Sequence, residues 1–131
     1  MLILKQNFKI KRIYEELDSD DGFRVLIDRL WPRGVKKEAA KVDLWMKEIA
    51  PSPELRKWFC HDPKLFPQFR ENYLKELEGD PLHQEQVEIL NQKVMEGPVT
   101  LLYAAKDQVY NHAVVLYDFL LDKNKKSLDH D

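Results

Sequence analysis

The chain contains 131 residues, a length that suits one domain with its own core and excludes a multidomain machine. Hydrophobic residues make up 44% and charged residues 34%, which is typical of a globular protein and excludes the disordered and fibrous classes. Lys and Arg number 21 against 23 Asp and Glu, and this near balance argues against a nucleic-acid coat or a polybasic membrane anchor.

The sequence also indicates the compartment in which we expect the protein. Its single cysteine, Cys60, cannot form an internal disulfide, and residues 1–5 lack the basic and apolar stretches of a secretion signal. The longest apolar runs span about five to seven residues, whereas a membrane-spanning helix needs roughly twenty. We therefore expect a cytoplasmic protein without a membrane segment.

Three segments have the pattern of β-strands. Phe8, Ile10 and Arg12 alternate with lysines, as in a strand with one solvent-facing side, whereas residues 23–27 and 99–105 are nearly continuous apolar runs typical of buried strands. About eight residues join the first two strands, too few for a parallel crossover, so we predict that the first is an antiparallel edge strand. The long helical stretch before the last strand predicts that the other two strands are parallel and joined by a right-handed crossover.

Proline-containing caps mark the predicted helix starts. A short helix is predicted over residues 43–50, and residues 52–54 (Ser-Pro-Glu) have the hydroxyl, proline and carboxylate order of a helix N-terminus. Residues 62–63 and 80–81 (both Asp-Pro) repeat this device before two longer helices, and residues 97–98 (Gly-Pro) end the second. The apolar stripes of these helices and of a final helix are Phe66, Phe69, Tyr73 and Leu77; Val87, Leu90 and Val94; and Val109, Ala113, Leu116 and Leu120.

Together these elements predict an α/β protein with a small mixed, mainly parallel sheet of three or four strands flanked by about five helices. We expect one domain over residues 1–122 and a frayed polar tail over residues 123–131. Ligands of such folds bind beyond the carboxyl ends of the strands. Residues 28–34 and 106–112 emerge there, and the side chains predicted to converge are Arg29, Arg33, Lys106 and His112.

This convergence of cations predicts an anion site. Arg29 and Arg33 carry planar forks that suit a phosphate or carboxylate, and the intervening Trp31-Pro32 pair stiffens the turn. The alternative is that Asp28 pairs with one of these arginines as a structural ion pair that closes the strand. Trp31 itself is predicted to pack in the core rather than to stack on a ligand.

Two further places could contribute to the site. Ser52 and Arg56 combine a hydroxyl, free helix N–H groups and a guanidinium, although ordinary capping also explains Ser52. His112, with Asn111 beside it, suits proton transfer or a hydrogen bond to an anionic oxygen, and capping or core packing is the alternative. We expect Tyr103 to pack.

Other kinds of chemistry lack their motifs. Cys60 lies beside His61 and Asp62, but it is predicted at a helix end far in sequence from the strand ends, so we do not expect a cysteine nucleophile. The four His and one Cys show no zinc-ligand spacing, and no glycine-rich nucleotide loop occurs. We therefore expect neither a metal nor a nucleotide cofactor.

Several of these segments together resemble a known family. Residues 24–34 (Arg-Val-Leu-Ile-Asp-Arg-Leu-Trp-Pro-Arg-Gly), 50–59 (Ala-Pro-Ser-Pro-Glu-Leu-Arg-Lys-Trp-Phe), 101–107 (Leu-Leu-Tyr-Ala-Ala-Lys-Asp) and 111–113 (Asn-His-Ala) are similar to the YeaO-like group of domain-of-unknown-function family 488. The resemblance covers nearly the whole chain and implies a small cytoplasmic bacterial-type α/β protein without an agreed activity. The polar signature of that family corresponds here to Asp28, Arg29, Arg33, Ser52, Arg56, Lys106, Asn111 and His112.

These observations lead us to expect a protein that binds an anionic small molecule bearing phosphate or carboxylate. Arg29 and Arg33 would clamp the anion, and the further donors would be Ser52, Arg56, Lys106 and Asn111. His112 or Asp28 would act as acid or base if the protein also performs hydrolysis or group transfer, and its status as an enzyme is left open because no nucleophile is evident.

The alternative function is a non-enzymatic interaction module. Residues 1–37 carry 9 Lys or Arg and 6 Asp or Glu, so Lys9 and Lys11, together with exposed aromatic residues, would contact a protein or a nucleic acid. The overall charge of −2 makes nucleic acid the weaker branch, and the oligomeric state stays open.

Overall fold

The structure, a computed structural model, describes residues 7–129, and it describes side chains over residues 7–122. The strands of this part are β1 (Phe8–Arg12), β2 (Phe23–Leu26), β3 (Leu44–Trp45) and β4 (Val99–Tyr103). Its α-helices are α1 (Lys37–Ala40), α2 (Pro53–Phe59), α3 (Phe66–Gly79), α4 (Pro81–Glu96) and α5 (His112–Asp129). Short 3-10 turns occupy Ser19–Asp21, Lys47–Ile49 and Pro63–Leu65.

The strands form one sheet in the order β1-β4-β2-β3, and the described pairs are all parallel. The α/β class and the parallel pairing of β2 with β4 are therefore confirmed. The prediction of an antiparallel first strand, and with it of a mixed sheet, is wrong. β1 is an edge strand, but it pairs parallel with β4, with Phe8 opposite Val99 and Arg12 opposite Tyr103.

The return from β1 to β2 is shorter than parallel connections usually are because it lies directly on the sheet. Residues 13–22 lead back to the start of β2, and Asp21 on this segment is held from two strands. Lys11 of β1 donates to its carboxylate at 3.0 Å, and the Thr100 hydroxyl of β4 donates to its carbonyl at 2.7 Å. Because β1 has only five residues, the extended segment 13–22 is long enough to return to the start of β2 without a helix.

Alternation along the two central strands explains why their apolar runs are continuous. Val25 and Ile27 of the β2 run pack with α2 to α5 in the main core, whereas Leu26 between them faces the opposite side of the sheet. There it packs in a second, smaller cluster whose other buried members are Ile13, Ala40 and Leu102. Both faces are covered, so the polar side chains of these strands, Arg24 and Thr100, are also buried.

The helices begin largely where the prolines predict. Ser52 caps α2, and Asp80 caps α4 by accepting from the His83 N–H. The predicted stripes of α3 and α4 are buried at Phe69, Tyr73 and Leu77 and at Val87, Leu90 and Val94. None of the helices in the described residues is long and apolar enough to cross a membrane.

Two helix predictions are wrong. Residues 43–50 form β3 and a 3-10 turn instead of a helix, because Leu44 and Trp45 extend the sheet edge by pairing with β2. Val109 is 60% exposed rather than inward, since α5 begins only at His112, after an Asp107-anchored turn. Helix α5 continues to Asp129, beyond the domain boundary predicted at residue 122. That boundary stays a prediction, and residues 130–131 lie outside the described residues.

A buried ion cluster fastens the β1–β2 return. The Asp21 carboxylate, in a residue only 1% exposed, pairs with Lys11 and with Arg24, whose guanidinium also donates to the Ala40 carbonyl. Burial acts to raise the pKa of Asp21, but hydrogen bonds from Lys11, from the Asp18 backbone and from Arg24 lower it below its ordinary value. The folded state is thereby stabilised when this carboxyl is ionised.

We expect Asp21→Asn to lower the free energy of unfolding at pH 7 by about 3 kcal/mol, because it leaves a buried guanidinium without its counter-charge. A carboxyl whose pKa is lowered by folding contributes stability above its unfolded pKa and loses it as pH falls through the folded value. The difference from wild type should therefore shrink in urea titrations as pH falls through 3.8 and below. Asp20→Asn on the exposed neighbour is the control, and an equal loss in both variants would contradict the assignment.

A glycine is required at position 22 for two reasons, the positive φ of the backbone there and the close approach of Pro98. Its φ is +64°, and a Cβ there would collide with the Pro98 carbonyl oxygen and lie 2.8 Å from the Pro98 Cβ. We expect Gly22→Ala to destabilise the protein by about 2 to 4 kcal/mol. Gly79→Ala, at the end of α3 with open space around it, should change the midpoint of thermal unfolding little or raise it. Similar midpoints for the two variants would refute this reading.

Candidate functional site

A cavity of about 560 Å³ lies beyond the carboxyl ends of β2 and β4, where the fold places ligands. Its apolar walls are Leu30, Ala50, Pro51, Phe59, Phe69, Ala104 and Ala105. Its polar lining consists of Asp28, Arg29, Arg56, His61, Lys106, Asp107, Asn111 and His112. Six of the eight predicted site residues thus meet in one crevice, and the two that do not are Arg33 and Ser52.

Arg29 fastens one wall of this crevice. Its Nε and Nη2 atoms donate to the Pro51 carbonyl and Nη2 also to the Ala50 carbonyl, each at 3.3 Å, while Nη1 donates to Glu48 at 3.1 Å. These contacts occupy all three guanidinium nitrogens. The fork of Arg29 thus holds the protein's own main chain, and its role as an anion clamp stays a prediction.

Arg12 fastens the opposite wall in the same way. At the end of β1, its Nε donates to the Ala105 carbonyl at 2.9 Å and its Nη2 to the Ala104 carbonyl at 3.0 Å. Sequence reasoning missed this role. The only signal was an arginine at the last position of an edge strand, which is also typical of a solvated side chain.

Further side chains hold the wall segment that contains Ala50. The buried Tyr73 hydroxyl, whose pKa is raised by burial, donates to the Ile49 carbonyl at 2.7 Å. His83 contacts the Ala50 carbonyl through Nε2 at 2.8 Å and the Asp80 carboxylate through Nδ1 at 2.6 Å. Both ring nitrogens of His83 are thereby engaged. The hydrogen bond from His83 lowers the pKa of Asp80.

Ser52 is a structural cap rather than a ligand-binding residue. Its hydroxyl accepts from the Leu55 N–H and donates to Glu76 at 2.6 Å, and its own N–H donates to the same carboxylate at 2.9 Å. The carboxylate of Glu76 on α3 already occupies the start of α2. The prediction that this helix start receives a ligand anion is thus not supported, because an internal anion fills it.

Arg33 lies outside the crevice, which corrects the predicted pair of arginine clamps. It lies within a turn closed by the Val35 N–H and the Pro32 carbonyl, and its side chain is exposed. Trp31 packs as predicted, edge-on to Trp45 with ring centroids 5.4 Å apart, and its Nε1 donates to the Val35 carbonyl. This packing turns the chain away from the carboxyl end of β2 before Arg33 is reached.

Asp28 and His112 approach each other on the inner side of the crevice, each with a side chain 17% exposed. Asp28 Oδ2 accepts from the Ala104 N–H at 3.0 Å. His112 Nε2 lies 3.0 Å from the Ile27 carbonyl and 3.3 Å from Asp28 Oδ1. Because the carbonyl can only accept, Nε2 carries a proton and donates it there. The alternative that Asp28 pairs with Arg29 or Arg33 does not occur.

Arg56 and Lys106 are the available cations of the crevice. Both are exposed, and among residues 7–122 neither forms an ion pair or a side-chain hydrogen bond. Asn111, by contrast, is 1% exposed and caps α5, with its amide donating to the Asp107 carbonyl and its oxygen accepting from the Val114 N–H. Asn111 also forms a side-chain hydrogen bond with Tyr103, so it is engaged within the wall.

His61 is a lining residue that sequence reasoning did not place in the site. It follows Cys60 at the end of α2, and both residues have positive φ, 43° for Cys60 and 57° for His61. It lies near Asp107, whose pKa is lowered mainly by hydrogen bonds from the Tyr110 and Val109 N–H groups and further by His61. Nothing in the sequence signals a left-handed pair of non-glycine residues.

Groups that could hold a metal ion are absent from the part of the chain that the structure describes. The cavity has an apolar interior, with Asp28 and His112 on its inner side and the cations Arg56 and Lys106 at its rim. A site of this kind can bind an organic anion through charge and burial together.

Comparison with known proteins places the chain among relatives. The profile of a family described as "Inactive DUF488-N3 subclade" matches residues 7–131. The uncharacterised protein YeaO of Escherichia coli strain K12 is 46% identical over 114 residues, which cover 87% of this chain and 96% of that protein. An uncharacterised protein of Mycobacterium bovis is 37% identical over 119 residues, which cover 91% of this chain and 98% of that protein. No solved structure matches the chain significantly.

Arg29 is bonded to the crevice wall and Arg33 is exposed, so substitutions at the two positions should differ in their effect on stability without ligand. We expect Arg29→Ala to lower the free energy of unfolding by about 1 to 3 kcal/mol, because two wall carbonyls lose charged donors. Arg33→Ala should change it by less than about 0.5 kcal/mol, as exposed substitutions generally do. Urea unfolding of both variants measures the difference, and equal stabilities would show that the Arg29 contacts do not hold the wall.

Proposed function

The chain belongs to the inactive DUF488-N3 subclade, and on this premise we propose that it binds an anionic small molecule, bearing phosphate or carboxylate, in the crevice between Arg56 and His112. One observation carries the proposal. Arg56 and Lys106 have no counter-charge among the described side chains, and they border a mostly apolar cavity large enough for a metabolite. An organic anion would supply the missing charge and cover the apolar walls.

Binding is favoured over catalysis. Asp28 and His112 are the candidate acid and base for hydrolysis or group transfer, but Asp28 Oδ2 and His112 Nε2 are already used by main-chain groups of Ala104 and Ile27. No side chain with the surroundings of an activated nucleophile lines the cavity in the described residues, since Cys60 is exposed outside it. The description of the family as inactive supports the same conclusion.

The alternative function receives less support from the contacts. An interaction module would present Lys9 and Lys11, yet the Lys9 ammonium donates to the Asp20 carbonyl at 2.9 Å and the Lys11 ammonium to the Asp21 carboxylate. Both charges are used to fasten the β1–β2 return. We further propose that the protein acts in the cytoplasm, because a single exposed free thiol at Cys60 suits a reducing compartment.

Binding of phenyl phosphate and of benzoate, measured by calorimetry and by thermal shift, tests the proposal. We expect both compounds to stabilise the protein, and Arg56→Ala and Lys106→Ala each to raise the dissociation constant of phenyl phosphate about tenfold, or ~1.4 kcal/mol. Lys57→Ala is the matched control, since Lys57 is the exposed neighbour of Arg56 on α2 and does not line the cavity.

The same samples separate binding from hydrolysis. We expect the release of inorganic phosphate from phenyl phosphate to stay at the rate seen without protein. Absence of any stabilisation, or equal effects of Arg56→Ala and Lys57→Ala, would refute the anion site, whereas release above background that is lost in His112→Ala would establish an enzyme instead.

A further inference from the structure

One polar atom in the crevice lacks a partner of its own. Among the described residues, two buried side-chain oxygens accept no hydrogen bond, Asp28 Oδ1 and Asn91 Oδ1, and only Asp28 lines the cavity. A buried acceptor without a donor lowers stability, and more so when it is part of a carboxylate. A ligand of the crevice that donates to this oxygen would remove that cost.

The surrounding groups do not satisfy it. The Ala104 N–H is directed to the other oxygen, Oδ2. His112 Nε2 is 3.3 Å from Oδ1, but its single hydrogen is directed to the Ile27 carbonyl at 3.0 Å. Because a carbonyl oxygen can only accept, the histidine cannot transfer this bond to Asp28 without leaving Ile27 unpaired. Asp28 Oδ1 is thus an unsatisfied acceptor, buried beside His112 in this structure, on a residue that lines the inner side of the cavity.

We propose, resting on the anion site proposed above, that the ligand is bipolar and carries a protonated amine that donates to Asp28 Oδ1. Its anionic group would lie at the exposed rim against Arg56 and Lys106, and its apolar linker against Phe59 and Phe69. The burial of the side chains sets this direction, because the acid lies inside and the two free cations lie at the rim. An ammonium fits the inner position better than a hydroxyl, since it adds an opposite charge to the hydrogen bond.

Matched ligands test the proposal on the full chain without any substitution. ω-Aminoalkyl phosphates with two to six methylenes are compared by calorimetry with alkyl phosphates of the same length. We expect the amine to strengthen binding at least tenfold at the length that spans the site. The trimethylammonio analogue keeps the charge but has no N–H donor, so we expect it to lose most of this gain.

Two variants assign the gain to Asp28. In Asp28→Asn the ratio between the alkyl and aminoalkyl dissociation constants should fall to about one, whereas Arg56→Ala should weaken both ligands and leave the ratio near its wild-type value. If Asp28→Asn does not fold, the comparison of the three ligands on the wild-type protein still decides.

The outcomes separate this inference from the function beneath it. If alkyl phosphates bind in an Arg56-dependent manner but the amine adds nothing at any length, the bipolar ligand is refuted and the anion site stands. If no phosphate binds, both are refuted. A gain that is equal for the amine and its trimethylated analogue would also overturn the hydrogen bond to Asp28.

Discussion

The crevice depends on main-chain carbonyls that leave the sheet edge without strand or helix partners. The carbonyls of Ala50 and Pro51 on one wall and of Ala104 and Ala105 on the other are bound by arginine forks. A buried carbonyl without a donor costs free energy, and a rigid charged fork can satisfy two neighbouring carbonyls at once. Arg29 and Arg12 therefore hold two irregular segments apart at a spacing that regular secondary structure could not set.

This arrangement divides the charges of the site into two groups. Arg12, Arg29 and Glu76 are consumed by main-chain or capping contacts and determine the shape of the crevice. Arg56 and Lys106 stand outside this network and form no ion pair with the described side chains. Residue type alone does not distinguish the groups, because an arginine that organises a loop and one that binds an anion have the same chemistry.

The division also bears on the description of the family as inactive. A reacting group must be free to exchange a proton or attack a bond, whereas Asp28 and His112 are each anchored to the main chain on one side. What Asp28 retains is a single unsatisfied oxygen, which suits recognition of a donor. The ligand that we propose would place its anion against the exposed cations and its donor against this oxygen.

The sequence by itself determined the fold class, the two central strands, the starts of α2 and α4 and the segments that border the crevice. These features rest on local physics: proline and hydroxyl caps act within one turn, and continuous apolar runs require burial on both faces. Five of the six predicted residues that line the crevice, all but Arg56, followed from the rule that parallel strands end at one edge. The resemblance to the family was carried by the same segments.

Only the tertiary structure decided the direction of β1, the strand at Leu44–Trp45 and the role of each arginine. β1 and β2 are parallel although a short segment joins them, because β4 lies between them in the sheet. β4 comes from a segment far along the chain. Likewise, Arg29 differs from Arg56 in what lies beside it, namely the carbonyls at residues 50–51, and Ser52 is engaged by Glu76 from α3. Such partners are set by long-range packing, which no local pattern encodes.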